Sequence, residues 1–316
     1  NFVNFVTTNP MSNQVNYNQA KSEYNMGSLI DYFLLNAYVV CQDWLNWNTG
    51  WWRGLDPNGD KKKWRYTLWD MDNTFDHGTN YTGIPSSSPT AEPCDPSTLS
   101  NPGGQGHVPI WNEMLTNQEF HDDYINRWLD LANGPLSCSF MIHILDSMVA
   151  VIDPEMPRQI TTWGGTYATW QNNVTDLRNF ILARCDSMNS GFVDCDTAIT
   201  DIFDVTVEII GVGEVEMSNG NFINNLNTPW TDQRFGGINL PFEVNIVPCL
   251  PPLAGKMESK QSIPKEIIST ISWGEPTPIT YLGLFFDIWG IADFTAKYIS
   301  FLGSPIATPP MAIPSK

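Results

Sequence analysis

Residues 42–72 read QDWLNWNTGWWRGLDPNGDKKKWRYTLWDMD, and the folding of this stretch decides the rest. Its second half, KKKWRYTLW, alternates polar and apolar residues, as a strand with one face in solvent does. Asn58-Gly59 tolerates positive φ, so the pattern predicts two short antiparallel strands around a tight turn. Asp43 and Asn48 stand just before this ribbon, and Asp70 and Asp72 just after it. Folding the ribbon back therefore carries the later acids toward the earlier pair.

Upstream lies GSLIDYFLLNAYVV, in which Leu29, Ile30, Phe33, Leu34, Ala37 and Tyr38 recur at helical spacing. A helix over residues 28–40 with one buried face is expected, with Ser28 and Asp31 forming a capping-box-like start. Downstream, residues 78–109 are rich in Gly, Ser and Pro and too long for a bland connector. Three helical segments follow: IWNEMLTNQEFHDDYINRWLDLANG, SFMIHILDSMVAVIDPEM and TWQNNVTDLRNFILARC. Residues 200–247 alternate like antiparallel strands and predict a small β module. The segment YLGLFFDIWGIADFTAKYISFLG in the tail is long enough for a membrane span. Asp287, Asp293 and Lys297 interrupt it, so a buried or interfacial helix is expected instead.

An apolar fraction of 42% supports a packed protein. The net charge of −18 argues against nucleic acid or an anionic membrane as partner, because no basic field attracts phosphate backbones. An acidic protein that handles phosphate needs a metal or a local basic pocket. The six cysteines show no CxxC spacing, which argues against zinc; Cys185 and Cys195 are near enough in sequence to pair, but geometry decides. The chain begins with Asn1 and no basic-then-apolar leader, so a fragment or processed product is expected, with any targeting signal upstream.

The order of these features points to phosphoryl transfer. Protein kinases place a base Asp and a metal-binding Asn four residues apart in the catalytic loop, and a second metal-binding Asp follows a short hairpin. There the first Asp takes the hydroxyl proton, while the Asn and second Asp hold metal that neutralises phosphate oxygens. For Asp43 and Asn48 alone, a helix-end carboxylate and a turn former are the plainer readings; the order of helix, ribbon and D-x-D favours the chemical one.

The stretches SLIDYFLLNAYVVCQDWLNWNTGWWRG, KKWRYTLWDMDNTFDH, NYTGIP, IDPEMPRQITTW and WQNNVTDLRNFILARC, in that order, resemble the spore-coat protein H (CotH) kinase family, in particular its secreted bacterial members. The resemblance covers roughly residues 1–195. It implies an atypical kinase-like fold that phosphorylates secreted or cell-surface proteins on Ser or Thr, using ATP and Mg²⁺ or Mn²⁺. By motif match, Asp43 corresponds to the catalytic Asp, Asn48 and Asp70 to metal ligands, and Asp72 to a supporting carboxylate. Asp76 stands where the family pattern has Gly. The resemblance also implies a nucleotide-clamping lysine in a preceding lobe; about 27 residues precede the first matched helix and Lys21 is their sole lysine, so that lobe is expected to be largely absent.

The expected organisation is α+β: a mainly helical kinase-like C-terminal lobe over 1–195 with a β hairpin at the metal site, a small antiparallel β module over 196–247, and a tail over 248–316. Within the module, NTPWTDQRFGGINLPFEV is similar to β domains that follow such kinases in secreted proteins.

Two rival functions stand beside the kinase. One is a non-catalytic secreted structural or adhesion protein that keeps the scaffold and binds surface or matrix proteins. The other reads WDMDNTF as the D-x-D-x-T of haloacid-dehalogenase-like phosphatases, whose motif ends a strand buried in a parallel sheet; the polar alternation here argues against it. DPNGD opens like a calcium loop but lacks the closing glutamate, so a turn is expected. The four histidines show no ligand spacing, and His121 in HDDY is expected to be solvated. Glu155 and Arg158 are expected to pair with each other, and the tryptophans of WLNWNTGWW to fill core, with base stacking as the alternative. Asn80 and Asn173 open sequons, meaningful only in a eukaryotic secretory host.

Overall fold

A computed structural model describes residues 2–45, 47–56, 58, 62–209, 213–217, 221–246 and 299–302. The chain separates into two units, Asn1–Thr200 and Asp201–Lys316. The first is mainly helical with one small antiparallel ribbon and the second is antiparallel β, so the fold is α+β as expected.

The first unit begins with α1 (Phe2–Thr8), α2 (Gln14–Glu23) and α3 (Met26–Tyr38). The expected apolar face of α3 is buried, and Met26, Tyr32 and Asn36 join it. Its cap differs from expectation. Asn25 receives the Ser28 amide at 2.8 Å, whereas the Ser28 hydroxyl accepts the Tyr66 amide at 2.9 Å and so ties helix to ribbon. Asp31 holds Arg127 through two oxygens, at 2.7 and 3.2 Å.

The ribbon consists of β1 (Gly50–Trp52) and β2 (Arg65–Thr67), antiparallel with Trp51 opposite Tyr66. Its strands are short, and the register that pairs Trp52 with Arg65 is symmetric about Asn58-Gly59, in the connection where the turn is expected; Gly59 itself lies outside the described residues. Asp56 accepts the Asn58 amide at 2.9 Å, an Asx turn inside that connection.

Helices α4 (His107–Leu115), α5 (Gln118–Ala132), α6 (Cys138–Ile152), α7 (Met156–Trp163) and α8 (Tyr167–Cys195) complete the unit. Aromatic rings knit the core. Phe33 of α3 stacks on Trp111 of α4 at 4.2 Å, Trp111 meets Tyr124 of α5 edge-on, and Tyr124 meets Phe192 of α8. Phe180, Arg184, Met188 and Phe192 form the buried stripe of α8 at a four-residue spacing. The long connection from 78 to 109 is anchored by Cys94, which is disulfide-bonded to Cys195 and not left for the Cys185–Cys195 pairing that proximity suggested. Among the described residues no helix is long and apolar enough to cross a membrane.

In the second unit β3 (Ile202–Val207), β4 (Gly213–Met217), β5 (Phe222–Asn224), β6 (Trp230–Phe235), β7 (Phe242–Ile246) and β8 (Ile299–Leu302) form two three-stranded antiparallel sheets, ordered β6-β3-β8 and β5-β4-β7. Val205 and Val207 of one and Val215, Met217, Ile223 and Phe242 of the other share one apolar cluster. Residues Ile299–Leu302, the end of the helix expected in the tail, are a strand paired with β3; the rest of that helix lies outside the described residues.

Candidate functional site

Two loops carry the predicted site residues, one after α3 (residues 39–48) and one after β2 (residues 68–82). Apolar side chains pin the first from beneath: Val40, Cys41, Trp44 and Leu45 are buried, which leaves Asp43 half-buried at the surface. Backbone hydrogen bonds then fasten the loops together. The Gln42 amide donates to Asn73 O at 2.9 Å and the Phe75 amide to Val39 O at 2.8 Å. The amides of Tyr81 and Thr82 both donate to Gln42 O, and the Thr82 hydroxyl takes the Trp44 amide at 2.8 Å. Asp43 therefore sits one residue from the seam, and Asp72 one residue from its other side.

The seam is strained. Among the described residues six other than glycine have positive φ, and five of them (Val40, Leu45, Asp70, Phe75 and Asp76) lie in these two loops. For a β-branched residue such as Val40 this is costly, about 1–3 kcal/mol by the usual scale, and strain of this kind collects at functional sites. Gly78 is required for a different reason. Its φ is 126°, and a Cβ there would stand 2.1 Å from Asn73 Oδ1. The Asn73 amide meanwhile donates to Thr79 O at 2.6 Å, closing the loop that bears Asp70 and Asp72.

Three polar atoms at the seam are buried without a hydrogen-bond partner among the described residues: Asp43 Oδ1, Gln42 Nε2 and Asn73 Oδ1. Buried polar atoms are nearly always satisfied, so such a group asks for a ligand. The Asn48 amide nitrogen donates to Asp43 O at 3.1 Å, which leaves its oxygen as the atom available to a cation. Burial pushes the Cys41 thiol up to about 11, against a lowering hydrogen bond from the Asp43 backbone; the charges of Asp43 and Asp72 add to the rise. Both carboxylates thus act on one buried thiol.

The structure brings Asp43 together with Asn48 by hydrogen bond, and with Asp72 through the seam. Asp70 is exposed, in a left-handed conformation. Among the described residues no three His, Cys, Asp or Glu side chains cluster tightly enough to hold an ion by themselves. Magnesium commonly takes one or two carboxylates and completes its shell with water and phosphate, so it needs no such cluster, and the amide and carboxylate oxygens of Asn48, Asp70 and Asp72 are donors of the kind it takes.

Exposed aromatics rim the loops. Trp47, 82% exposed, precedes Asn48; Trp69, 65% exposed, precedes Asp70; Tyr81, also exposed, is bonded to Gln42. Trp44 fills core as expected, but Trp47, Trp51 and Trp52 do not. A cavity of about 410 Å³ lies along α3 and β2, lined by Ser28, Asp31, Tyr32, Tyr66 and Leu68 among others. Tyr32 connects it to the site, its hydroxyl donating to Asn48 O at 3.4 Å and meeting Thr49 at 3.0 Å. The loops, not this cavity, carry the unpaired acid, so the site is placed at the seam.

Other expectations resolve plainly. Among the described residues β2 pairs in a two-stranded antiparallel ribbon, not in the parallel sheet the phosphatase reading needs. His121 is not solvated: Nε2 lies 2.8 Å from Asp196 Oδ2. Burial alone would lower its pKa, but hydrogen bonds and charge from Asp122 and Asp196 hold it up at about 9. Glu155 and Arg158 form an exposed pair at 3.9 Å at the start of α7.

One positioning residue escaped the sequence reading. Arg184, 1% exposed, donates from Nε to Tyr38 O at 3.0 Å and from Nη2 to Ala37 O at 2.7 Å, and its Nη1 serves the carbonyls of Pro89 and Ala91. It caps the end of α3 from which the Asp43 loop departs. An arginine on the apolar stripe Phe180-Arg184-Met188-Phe192 was the available signal.

A family profile described as CotH kinase protein matches residues 1–188. No curated protein and no solved structure shows significant similarity to the chain.

Proposed function

We propose, from the premise that this chain belongs to the CotH kinase family through its match over residues 1–188, that it transfers the γ-phosphoryl group of ATP to Ser or Thr hydroxyls of proteins outside the cytoplasm. One observation carries the reading: Asp43 presents a buried carboxylate oxygen with no partner among the described residues, at a strained seam where a second acidic loop is fastened beside it. In this role Asp43 accepts the proton of the incoming hydroxyl as the bond to phosphorus forms, and holds that hydroxyl in line. The backbone bonds around Gln42 and the Arg184 cap keep its carboxylate in place. Asn48, Asp70 and Asp72 supply oxygens for Mg²⁺ or Mn²⁺, which when bound would offset the charge of the phosphates in an otherwise acidic protein. The Cys94–Cys195 disulfide supports a secreted or surface setting, because such bonds persist in oxidising compartments.

A second reading has an observation in its favour. Lys21 is bonded to Glu119 of α5, so it is engaged as a structural partner and not as a nucleotide clamp. On that reading the chain is a secreted scaffold that binds surface or matrix proteins without transferring phosphate. Labelled ATP with Mn²⁺ and a generic Ser/Thr-rich acceptor separates the two. The kinase reading expects label in the acceptor with the native chain and at least a hundredfold less with Asp43→Asn, in line with the weight of general-base catalysis. Equal labelling by both proteins removes Asp43 from its role, and no labelling by either favours the scaffold.

A further inference from the structure

Residues 49–67 hold five basic side chains, Arg53, Lys61, Lys62, Lys63 and Arg65, against two acidic ones, Asp56 and Asp60, in a chain whose net charge is −18. Arg53 and Lys62 are exposed, and among the described residues none of Arg53, Lys62, Lys63 and Arg65 forms an ion pair. The ribbon determines how these charges are presented. Trp51 and Tyr66 face inward, where Tyr66 stacks on Tyr32 at 4.3 Å and Trp51 meets His107 at 4.8 Å. Alternation puts Trp52 and Arg65 on the opposite face, with the Arg65 guanidinium 5.4 Å from the centre of the Trp52 ring. Arg53 lies likewise over Trp64, at 4.9 Å. A guanidinium stacked on an indole is held flat with N–H groups along its edge, the form that grips a carboxylate. We propose that this ribbon docks an extended acidic segment of a partner protein, added as a third strand along β1.

The two edges of the ribbon differ, and the difference favours an extended chain over a compact anion. β2 is covered: the Trp64 amide donates to Glu23 O and the Asn25 amide to Trp64 O, both at 2.9 Å, and the Tyr66 amide donates to the Ser28 hydroxyl. Among the described residues β1 pairs with β2 alone, and Gly50, Trp51 and Trp52 make no backbone bond on their other side. An open strand edge takes up an extended peptide by backbone bonds, while alternate side chains of the peptide give specificity. A Glu or Asp at every second position of the peptide then lies on the face of Trp52 and Arg65. Charges beyond about 8–10 Å are largely screened at physiological salt, so the ribbon's own cations govern this contact despite the acidic remainder of the chain. The four residues from Trp52 back to Asn48 span at most about 14 Å. An acid seated on Arg65 is therefore within roughly five peptide residues of a hydroxyl at the seam. On the phosphate-transfer reading, on which this last step rests, the docked segment belongs to the acceptor and selects Ser or Thr with acidic neighbours.

Fluorescence anisotropy of the full chain with a labelled peptide alternating Glu and Thr, in the absence of nucleotide, gives the test. The native chain should bind the peptide, and Lys62→Glu/Lys63→Glu should weaken binding at least about tenfold with an unchanged circular dichroism spectrum. The same peptide with Gln for Glu, or with its backbone N-methylated throughout, should also bind at least about tenfold more weakly. No binding by the native chain, equal binding by the double variant, or equal binding of the Gln or N-methylated peptide would each overturn the proposal. Displacement of the peptide by metal-free ATP or by phosphatidylglycerol vesicles would overturn it as well, by assigning the ribbon to phosphate groups. Because nucleotide is absent, a chain that binds the peptide but never phosphorylates it loses the kinase reading and keeps the docking site.

Discussion

Replacing Arg184 by Met keeps the length and apolar stem of the side chain and removes the guanidinium. In the folded chain that group reaches four carbonyls, those of Ala37, Tyr38, Pro89 and Ala91. Burial pulls it down only to about 10, so it remains charged at neutral pH. Hydrogen bonds to a charged group contribute about 1.5–3 kcal/mol each, but confining a cation to the interior costs several kcal/mol that Met does not incur. What remains is the cost of leaving buried carbonyls unpaired at the end of α3 and in the 89–91 loop, a net loss of about 3–5 kcal/mol. For a unit of this size that is a fall of roughly 10 °C in the thermal midpoint, followed by circular dichroism, with a matching drop in urea midpoint. Arg184→Lys should lose most of the same stability, because an ammonium cannot reach both sides of the fork. A loss under about 1 kcal/mol for Arg184→Met would refute the reasoning, since the cap would then contribute no more than an ordinary surface contact.

The His121–Asp196 pair predicts a pH signature. The folded-state pKa of His121 is raised to about 9, so its contribution is complete below its ordinary value of 6.5 and lost as pH rises through 9; that of Asp196 is lowered by His121, so its contribution is lost in acid. The stability gap between native chain and His121→Ala should be about 3 kcal/mol near pH 6, shrink as pH rises from 6.5 to about 9, and be nearly gone above that; a gap that does not change with pH contradicts the ion pair. Gly78→Ala should cost at least about 2 kcal/mol by urea unfolding, because a Cβ meets Asn73 Oδ1 in a backbone conformation that side chains avoid. A fully tolerated alanine would show that the 70–78 loop is not fixed as described.

Helix α3 was legible because six apolar residues repeat at its period, and the ribbon because polar and apolar residues alternate in KKKWRYT. The cap of α3 was misplaced by one turn because Asn25 and Ser28 are both good capping residues, and only the position of Tyr66 decides which one caps. The order of Asp43, Asn48, Asp70 and Asp72 was visible, but the seam that joins their loops is made of backbone bonds, which any sequence can form. Cys94 and Cys195 are 101 residues apart, a separation that carries no pairing signal. His121 was misread for a related reason, since its partner Asp196 arrives from the far end of α8.

The central claim is that Asn48 of one loop and Asp70 and Asp72 of the other serve one cation and the nucleotide it accompanies, beside the base Asp43. Calorimetric titration of the full chain with ATP in the presence of Mn²⁺ tests it most directly. The account predicts metal-dependent binding that weakens at least tenfold in Asp70→Asn and in Asp72→Asn but persists in Asp43→Asn. Binding by the native chain that needs no metal, or none at all, would contradict it.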